Sequence, residues 1–476
     1  MRSLALLLVG SGGLFLAFMP PLVQAGKRPN VILAMADDQG WGDMGYMNHK
    51  VLKTPVFDEM AGTGLRFDRF YAAAPVCSPT RASVLTGRHP NRMGCFQWGH
   101  TLRKHEITLA EALKAAGYST GHFGKWHLGS VRADSEVAPG RNGFGEWASA
   151  PNFYENSPLF SQNGKVIETK GESSGVTVDL ALEWMEKVKE KPFLSVIWFG
   201  NPHSPHVGTE KFLRMYEGED KAYANFYAEI TAMDAAMGRL RTGIRKLGIA
   251  ENTILWYCSD NGGLKPNSMG GLSGRKGKLL EGGIRVPGII EWPEVIRKNR
   301  VTQVPASTVD IYPTVLELSG VKMPEEQPVL DGVSLADLIH GRDFTRQKSM
   351  GFWHYPARGR GMHARQMLEK LRVEQQTGKP SSAPRAGFVD RQYPLDEFPG
   401  SAAWISGPWK LHRGVGKKGA PVTFRLFNLE EDMRESNDLS GTESGRLDRM
   451  KRDLADWQKS VIKSLNGGDY TLGSRK

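Results

Sequence analysis

Apolar residues along the chain gather into short, nearly unbroken runs separated by stretches of helical period. Val31 to Ala36, Phe193 to Phe199 and Thr253 to Cys258 have almost no polar interruption, the pattern of strands buried on both faces of a parallel sheet. Ser119 to Gly124 reads as a shorter strand. Between them, Thr54-Pro55 opens a helix, with Thr as cap and Pro at the first position. Leu109 to Ala116 is amphipathic and stops at Gly117. Val176 to Lys189 and Tyr223 to Leu247 also carry helical spacing, the second ending at Gly248. Strands alternating with helices predict an α/β fold whose large, mainly parallel sheet is flanked by helices.

The texture changes near residue 340. Residues 355–400 are rich in Arg, Pro, Gly and Ser and read as a long loop or insertion. Ala402 to Ile405, Trp409 to His412 and Phe424 to Asn428 then predict a short antiparallel sheet, and Leu447 to Leu465 a closing helix. The expected division is a catalytic domain over 26–340 and a smaller C-terminal part over 341–476. Residues 1–25 stand apart: Arg2, an apolar run from Leu4 to Phe18, and Val23-Gln24-Ala25 before the cleavage point make a signal peptide. The expected location is therefore secreted or periplasmic, without stable membrane insertion.

Composition narrows the partners. Among 476 residues, 24% are charged and the formal net charge is +11. A basic exported protein often meets polyanions; no nucleic-acid motif is present, so nucleic acid is not expected, sulfated polysaccharide is the better candidate, and a solvated basic surface with no partner stays open. Three cysteines, Cys77, Cys95 and Cys258, are too few for a disulfide framework. Cys258 ends an apolar run and is expected to be buried; a Cys95–Cys258 pair is left open.

The polar residues that follow the strands share a character. Val31–Ala36 runs into Asp37-Asp38, Ser119–Gly124 into Lys125-Trp126-His127, Phe193–Phe199 into Asn201-Pro202-His203, and Thr253–Cys258 into Asp260-Asn261. Open α/β sheets build their sites beyond the carboxyl ends of the strands, so four segments deliver acids, amides, a lysine and histidines to one edge. Asp37, Asp38, Asp260 and Asn261 are oxygen donors, the set that calcium or magnesium takes. In CSPTRASVLTGR, residues 77–88, Pro79 is placed to open a helix with Cys77 at its positive end and Arg81 one turn along. These residues alone leave Cys77 as either a nucleophile or a buried thiol.

That segment resembles the signature of the formylglycine-dependent (type I) sulfatases, in which Cys-x-Pro-x-Arg directs oxidation of the cysteine to formylglycine. ADDQGWGDMGY, GHFGKWHLG, NPHSPH, SDNGG and KGKLLEGGIRVP follow in the family's order, and WKLHRG with LFNLEEDMRESNDL resembles its closing hairpin. RNGFGEWASAPNF is similar to the N-acetylgalactosamine-6-sulfatase branch, close to the arylsulfatases. The resemblance implies an alkaline-phosphatase-like fold and hydrolysis of sulfate esters on carbohydrates, of N-acetylgalactosamine-6-sulfate or galactose-6-sulfate type. It implies calcium, or magnesium, on Asp37, Asp38, Asp260, Asn261 and formylglycine 77. Arg81 would hold the formylglycine hydrate, Lys125 the hydrate and the sulfate, His127 would take a proton from the sulfated intermediate, and His203 would sit beside the leaving oxygen. Lys276 matches the second sulfate-binding lysine, in preference to Lys278, and His206 is expected to pack or cap. A formylglycine-generating or anaerobic sulfatase-maturating enzyme would act during biogenesis. Two other readings remain: a phosphate or phosphonate ester hydrolase of the same superfamily, and an unmodified, noncatalytic polyanion-binding protein.

Overall fold

The computed structural model describes residues 28–379, 381–415 and 421–470; the expected signal peptide lies outside them. Eleven strands form one sheet: β1 (Asn30–Ala36), β2 (Leu65–Tyr71), β3 (Ser119–Lys125), β4 (Glu146–Ala150), β5 (Leu159–Gln162), β6 (Lys165–Glu168), β7 (Phe193–Trp198), β8 (Thr253–Ser259), β9 (Arg285–Glu291), β10 (Arg300–Thr302) and β11 (Ala306–Ser307). Their order is β10-β2-β9-β8-β1-β7-β3-β4-β5-β6, with β11 also on β2. The centre, β8-β1-β7-β3-β4, is parallel, while β9 runs antiparallel to both β8 and β2.

Every residue of β1, β7 and β8 is buried, which is why their sequences lack alternation. Two groups of helices cover the sheet. Ser173–Val188 packs on Lys221–Lys246, which also meets Pro55–Thr63, whereas Cys77–Thr86 packs on Leu109–Ala115 and Ile311–Leu318. No described helix is long and apolar enough to cross a membrane.

A second, antiparallel sheet has the order β12-β13-β14-β15, with β12 at Met350–His354, β13 at Ser401–Ser406, β14 at Trp409–Val415 and β15 at Val422–Asn428. It closes against the large sheet through an apolar cluster of Tyr71, Leu279 and Ile284 with Phe352, Ile405 and Phe427. The helix Ser444–Leu465 packs on β13 and β14.

Three differences from the sequence reading have physical causes. The stretch 355–400 is not all loop, because Ala364–Thr377 is helical and buries Ala364, Leu368 and Leu371 at i, i+4 and i+7. The small sheet gains β12 as an outer strand. In the helix Cys77–Thr86, Cys77 itself is the first residue and Pro79 the third; proline is tolerated there because first-turn N–H groups have no intrahelical acceptor.

Candidate active site

Strands β8, β1, β7 and β3 are parallel neighbours, so their carboxyl ends open on one edge of the sheet. Asp260-Asn261, Asp37-Asp38, Asn201-Pro202-His203 and Lys125-Trp126-His127 meet there. The Cys77 helix points its first turn at the same place. The Cys77 Sγ and carboxylate oxygens of Asp37 and Asp260 all lie within 4.8 Å of one another, as do atoms of Asp37, Asp38 and His203. The sulfur marks the position that an oxygen of an oxidised residue 77 would take.

Three carboxylates are matched by three cations. Arg81 donates from Nε (3.1 Å) and Nη2 (2.7 Å) to Asp260 Oδ2 and from Nη1 to the Lys125 carbonyl (3.1 Å). Its guanidinium lies 5.1 Å from the centre of the Trp198 ring, so both its plane and its position are fixed. Lys125 donates to Asp37 (2.6 Å). Lys276 donates to both oxygens of Asp38 (2.5 and 2.7 Å), while Lys278 is exposed. Asn261 Nδ2 donates to Asp38 Oδ1 (2.9 Å).

Two acceptors in this set have no hydrogen bond: Asn261 Oδ1 and Asp37 Oδ1, the latter facing Arg81 only at 3.8 Å. Unmet oxygen lone pairs beside ionised carboxylates are costly in a protein interior, and they are what a hard divalent cation coordinates. The donor set present therefore fits calcium or magnesium.

Burial governs the titration of the site. At Asp38 it is outweighed by Lys276 and His203, which hold the carboxyl well below the usual range. Burial and the Asp37 charge push Asp260 up, to about 6. Burial raises the Cys77 thiol. His203 is lowered to about 4, by burial first and then by Lys125 and Lys276, with Asp38 opposing. His127 is lowered strongly by burial, Lys125 and Arg81; both of its ring nitrogens lack a partner, leaving them available to a reacting group.

Asp38 and His127 have φ of 69° and 53°, a left-handed backbone that costs non-glycine residues about 1–3 kcal/mol and clusters at functional sites. Each follows a strand end directly or nearly so. The turn bends the chain back over the sheet edge and into the cluster.

Three further residues shape the site and escaped the sequence reading. Phe153 stacks on His203 (4.2 Å between ring centres, 16° between planes). Ser78 donates to the His127 carbonyl (2.6 Å) and accepts from Gly99 N–H (2.8 Å), tying helix start, histidine turn and an outer loop together. Trp198, the last residue of β7, supports Arg81. Phe153 lies inside RNGFGEWASAPNF, so only its role was hidden. His206 packs on Phe226 and pairs with Glu229 (3.1 Å), away from the cluster. Cys77, Cys95 and Cys258 are all free and buried; the Cys95–Cys258 pair does not form.

A profile of the Sulfatase family matches residues 29–321, and one described as "N-sulphoglucosamine sulphohydrolase, C-terminal" matches residues 275–368. The chain is 32% identical to arylsulfatase A of Homo sapiens over 71% of its own length and 73% of the relative's. It is 30% identical to N-acetylgalactosamine-6-sulfatase of Canis lupus familiaris, over 71% of this chain and 70% of that one. Among solved structures, Ps i-CgsB in complex with k-i-k-neocarrahexaose superposes with a TM-score of 0.75, covering 94% of this chain and 100% of the other at 23% identity. That likeness supports the alkaline-phosphatase-like sulfatase fold.

Proposed function

Because this chain belongs to the sulfatase family and is a sulfuric ester hydrolase, we propose that it removes sulfate from carbohydrates of N-acetylgalactosamine-6-sulfate or galactose-6-sulfate type through a formylglycine hydrate at residue 77. The observation that carries this reading is the convergence of Cys77, Arg81, Lys125, His127, His203 and Lys276 on one acidic cluster. The substrate class draws on the 30% identity to an N-acetylgalactosamine-6-sulfatase and on the net charge of +11.

A hydrated aldehyde explains the choice of residue. One hydroxyl attacks sulfur and displaces the alcohol; loss of the proton on the other re-forms the aldehyde as sulfate leaves by C–O cleavage. One difficult displacement becomes two easier steps. A hard cation held by Asp37, Asp38, Asp260 and Asn261 would lower the proton affinity of the attacking hydroxyl and screen the charge of the ester.

The chain's own residues supply the rest. Arg81, locked by Asp260 and Trp198, orients the hydrate. Lys125 and Lys276 neutralise the sulfate oxygens, placing positive charge where negative charge develops. His203, held flat against Phe153, gives a proton to the leaving sugar oxygen; the bound sulfate ester offsets the lysine charges that add to burial in keeping this ring neutral. His127 accepts the hydrate's remaining proton with an otherwise unpartnered nitrogen.

The test has two parts. Peptide mass across residues 77–81 should find an aldehyde at position 77 in protein from a maturation-competent host, and fully active protein with only thiol would sink the mechanism. Sulfate and phosphate esters of one alcohol should be compared; faster phosphate release would reassign the enzyme to phosphate or phosphonate esters.

A further inference from the structure

The outer loops over 95–106 and 355–400, where the sequence leads one to expect substrate specificity, border a cavity of 470 Å³, within the range of about 300–1,000 Å³ that small-molecule sites occupy. Its walls come from residues 93–103 and 357–393. Backbone pairing builds it: Gly387 N–H donates to the Leu102 carbonyl (3.1 Å) and Lys104 N–H to the Gly387 carbonyl (3.4 Å), while Arg360 N–H donates to the Trp98 carbonyl (2.8 Å).

The charge inside is unbalanced. Arg103 is 5% exposed, its Nη1 is buried with no hydrogen-bond partner, and it forms no ion pair among the described residues. Arg360, Arg385 and Arg391 join it at the rim, against one lining acid, Asp390. A guanidinium buried without a counter-charge is strongly unfavourable, and its planar fork matches a carboxylate or a sulfate. Phe388, 69% exposed, and Tyr393, under the Arg391 guanidinium at 4.4 Å, add flat apolar surface of the kind that lies against a sugar ring.

We propose that this cavity is a second oxyanion site, which holds a sulfate or carboxylate on another sugar of a polyanionic carbohydrate chain. The proposal rests on the sulfated-carbohydrate reading above and extends it from a single ester to a chain. The loop that forms its wall is the one whose Gly99 N–H is held by Ser78, beside residue 77, so one segment borders both the cavity and the catalytic centre.

Two variants test it. Arg385→Ala/Arg391→Ala alters only exposed side chains, and Arg103→Met removes the buried charge at similar length. The probes are a labelled sulfated galactan hexasaccharide, its desulfated counterpart, and inorganic sulfate as competitor, with nitrophenyl sulfate turnover measured alongside. Each variant should bind the sulfated hexasaccharide about tenfold more weakly or worse, the loss expected for charge-assisted hydrogen bonds, and keep wild-type turnover of nitrophenyl sulfate. Arg103→Met should melt no lower than wild type, because it removes an uncompensated charge. Unchanged hexasaccharide affinity in both variants overturns the proposal, as does a binding loss matched by equal losses of melting temperature and turnover. Inorganic sulfate that competes as strongly as the hexasaccharide overturns the carbohydrate assignment, and equal affinity for the desulfated chain overturns the oxyanion site itself. The binding arm needs no catalysis, so a wild-type protein inactive on sulfate esters would refute the proposed function and still leave this site decided.

Discussion

Two buried charge clusters lie on either side of the segment 276–281, and they differ in what they leave unfinished. At the junction of the two sheets, Lys410 pairs with Glu281 (2.8 Å) and Glu435 (2.9 Å). Glu281 also accepts from Tyr71 (3.0 Å) and Arg285 (3.3 Å), and its N–H donates to Glu435 (2.7 Å). The cluster is filled by its own members, with Glu435 Oε1 met by the Lys410 ammonium as an ion pair only, and Lys410, Glu281 and Tyr71 are fully buried. At the carboxyl edge of the large sheet, Lys276 and Asp38 pair as closely, yet Asp37 Oδ1, Asn261 Oδ1 and both His127 nitrogens have no hydrogen bond. Two clusters of similar burial thus differ: one spends its charges on pairing across the two sheets, and the other keeps oxygen and nitrogen lone pairs free of hydrogen bonds.

The sharpest way to break this contrast is at residue 77. Cys77→Ala should abolish sulfate ester hydrolysis while leaving circular dichroism and melting unchanged; residual turnover near wild type would remove residue 77 from the chemistry. Next, Asp38→Ala or Asp260→Asn should cost most of the activity and weaken binding of calcium or magnesium, read by metal analysis and titration. A stoichiometric zinc ion, with activity restored by zinc alone, would contradict the oxygen-donor reading.

His203→Ala should slow sugar sulfates by roughly 10²–10⁴-fold, the usual worth of general acid catalysis, and nitrophenyl sulfate far less, since nitrophenolate leaves unaided. His127→Ala should harm both substrates alike and accumulate sulfated enzyme, visible by mass. Equal losses on both substrates for His203→Ala would make that ring a sulfate binder only.

The Lys410 cluster should answer in stability instead. Lys410→Met strands the Glu435 carboxyl, leaves Glu281 with Arg285 as its one cation, and should cost about 3–5 kcal/mol by denaturant titration, with kcat retained by the protein still folded. A variant as stable as wild type would show that the network is not what joins the sheets.

The smallest effect concerns His89, buried in the same half of the molecule and lowered by burial to about 3. Its folded value lies below its unfolded one, so the neutral ring contributes stability in full above about pH 6.5, and that contribution is lost as pH falls towards 3. The penalty of His89→Asn should therefore shrink by about 2–3 kcal/mol between pH 7.5 and 4.5. A penalty independent of pH would count against it.

How much of this was legible in the sequence followed burial on two faces. β1, β7 and β8 announced themselves because nothing polar interrupts them, and the acids, lysine and histidines stood just beyond their ends. β2 was hidden by Arg66, Asp68 and Arg69, and β9 by Pro287 within it. The helix Ala364–Thr377 buries only Ala364, Leu368 and Leu371 and sits within a stretch rich in Arg, Pro and Gly. Lys276 needed a family resemblance, since a loop lysine carries no periodic signal, and Phe153 needed coordinates, because stacking on His203 joins segments 50 residues apart in number. The unmatched Arg103 could not be read at all: every arginine looks alike until its neighbours are counted.

The burial of the Cys77 helix also sets an order of events. All ten of its residues are inside, and Cys77 is 3% exposed, so no enzyme could grasp the strip from 77 to 81 once the chain has closed over it. If residue 77 is oxidised as proposed, the maturing enzyme would have to meet this segment while it is still extended. The window for making an active molecule would then be the interval between emergence of residue 81 and arrival of the partners that seal it, Lys125 and Asp260, the latter nearly two hundred residues downstream. Activity would be decided by a race in time, and a chain that folds first would stay inert, however perfect its final shape.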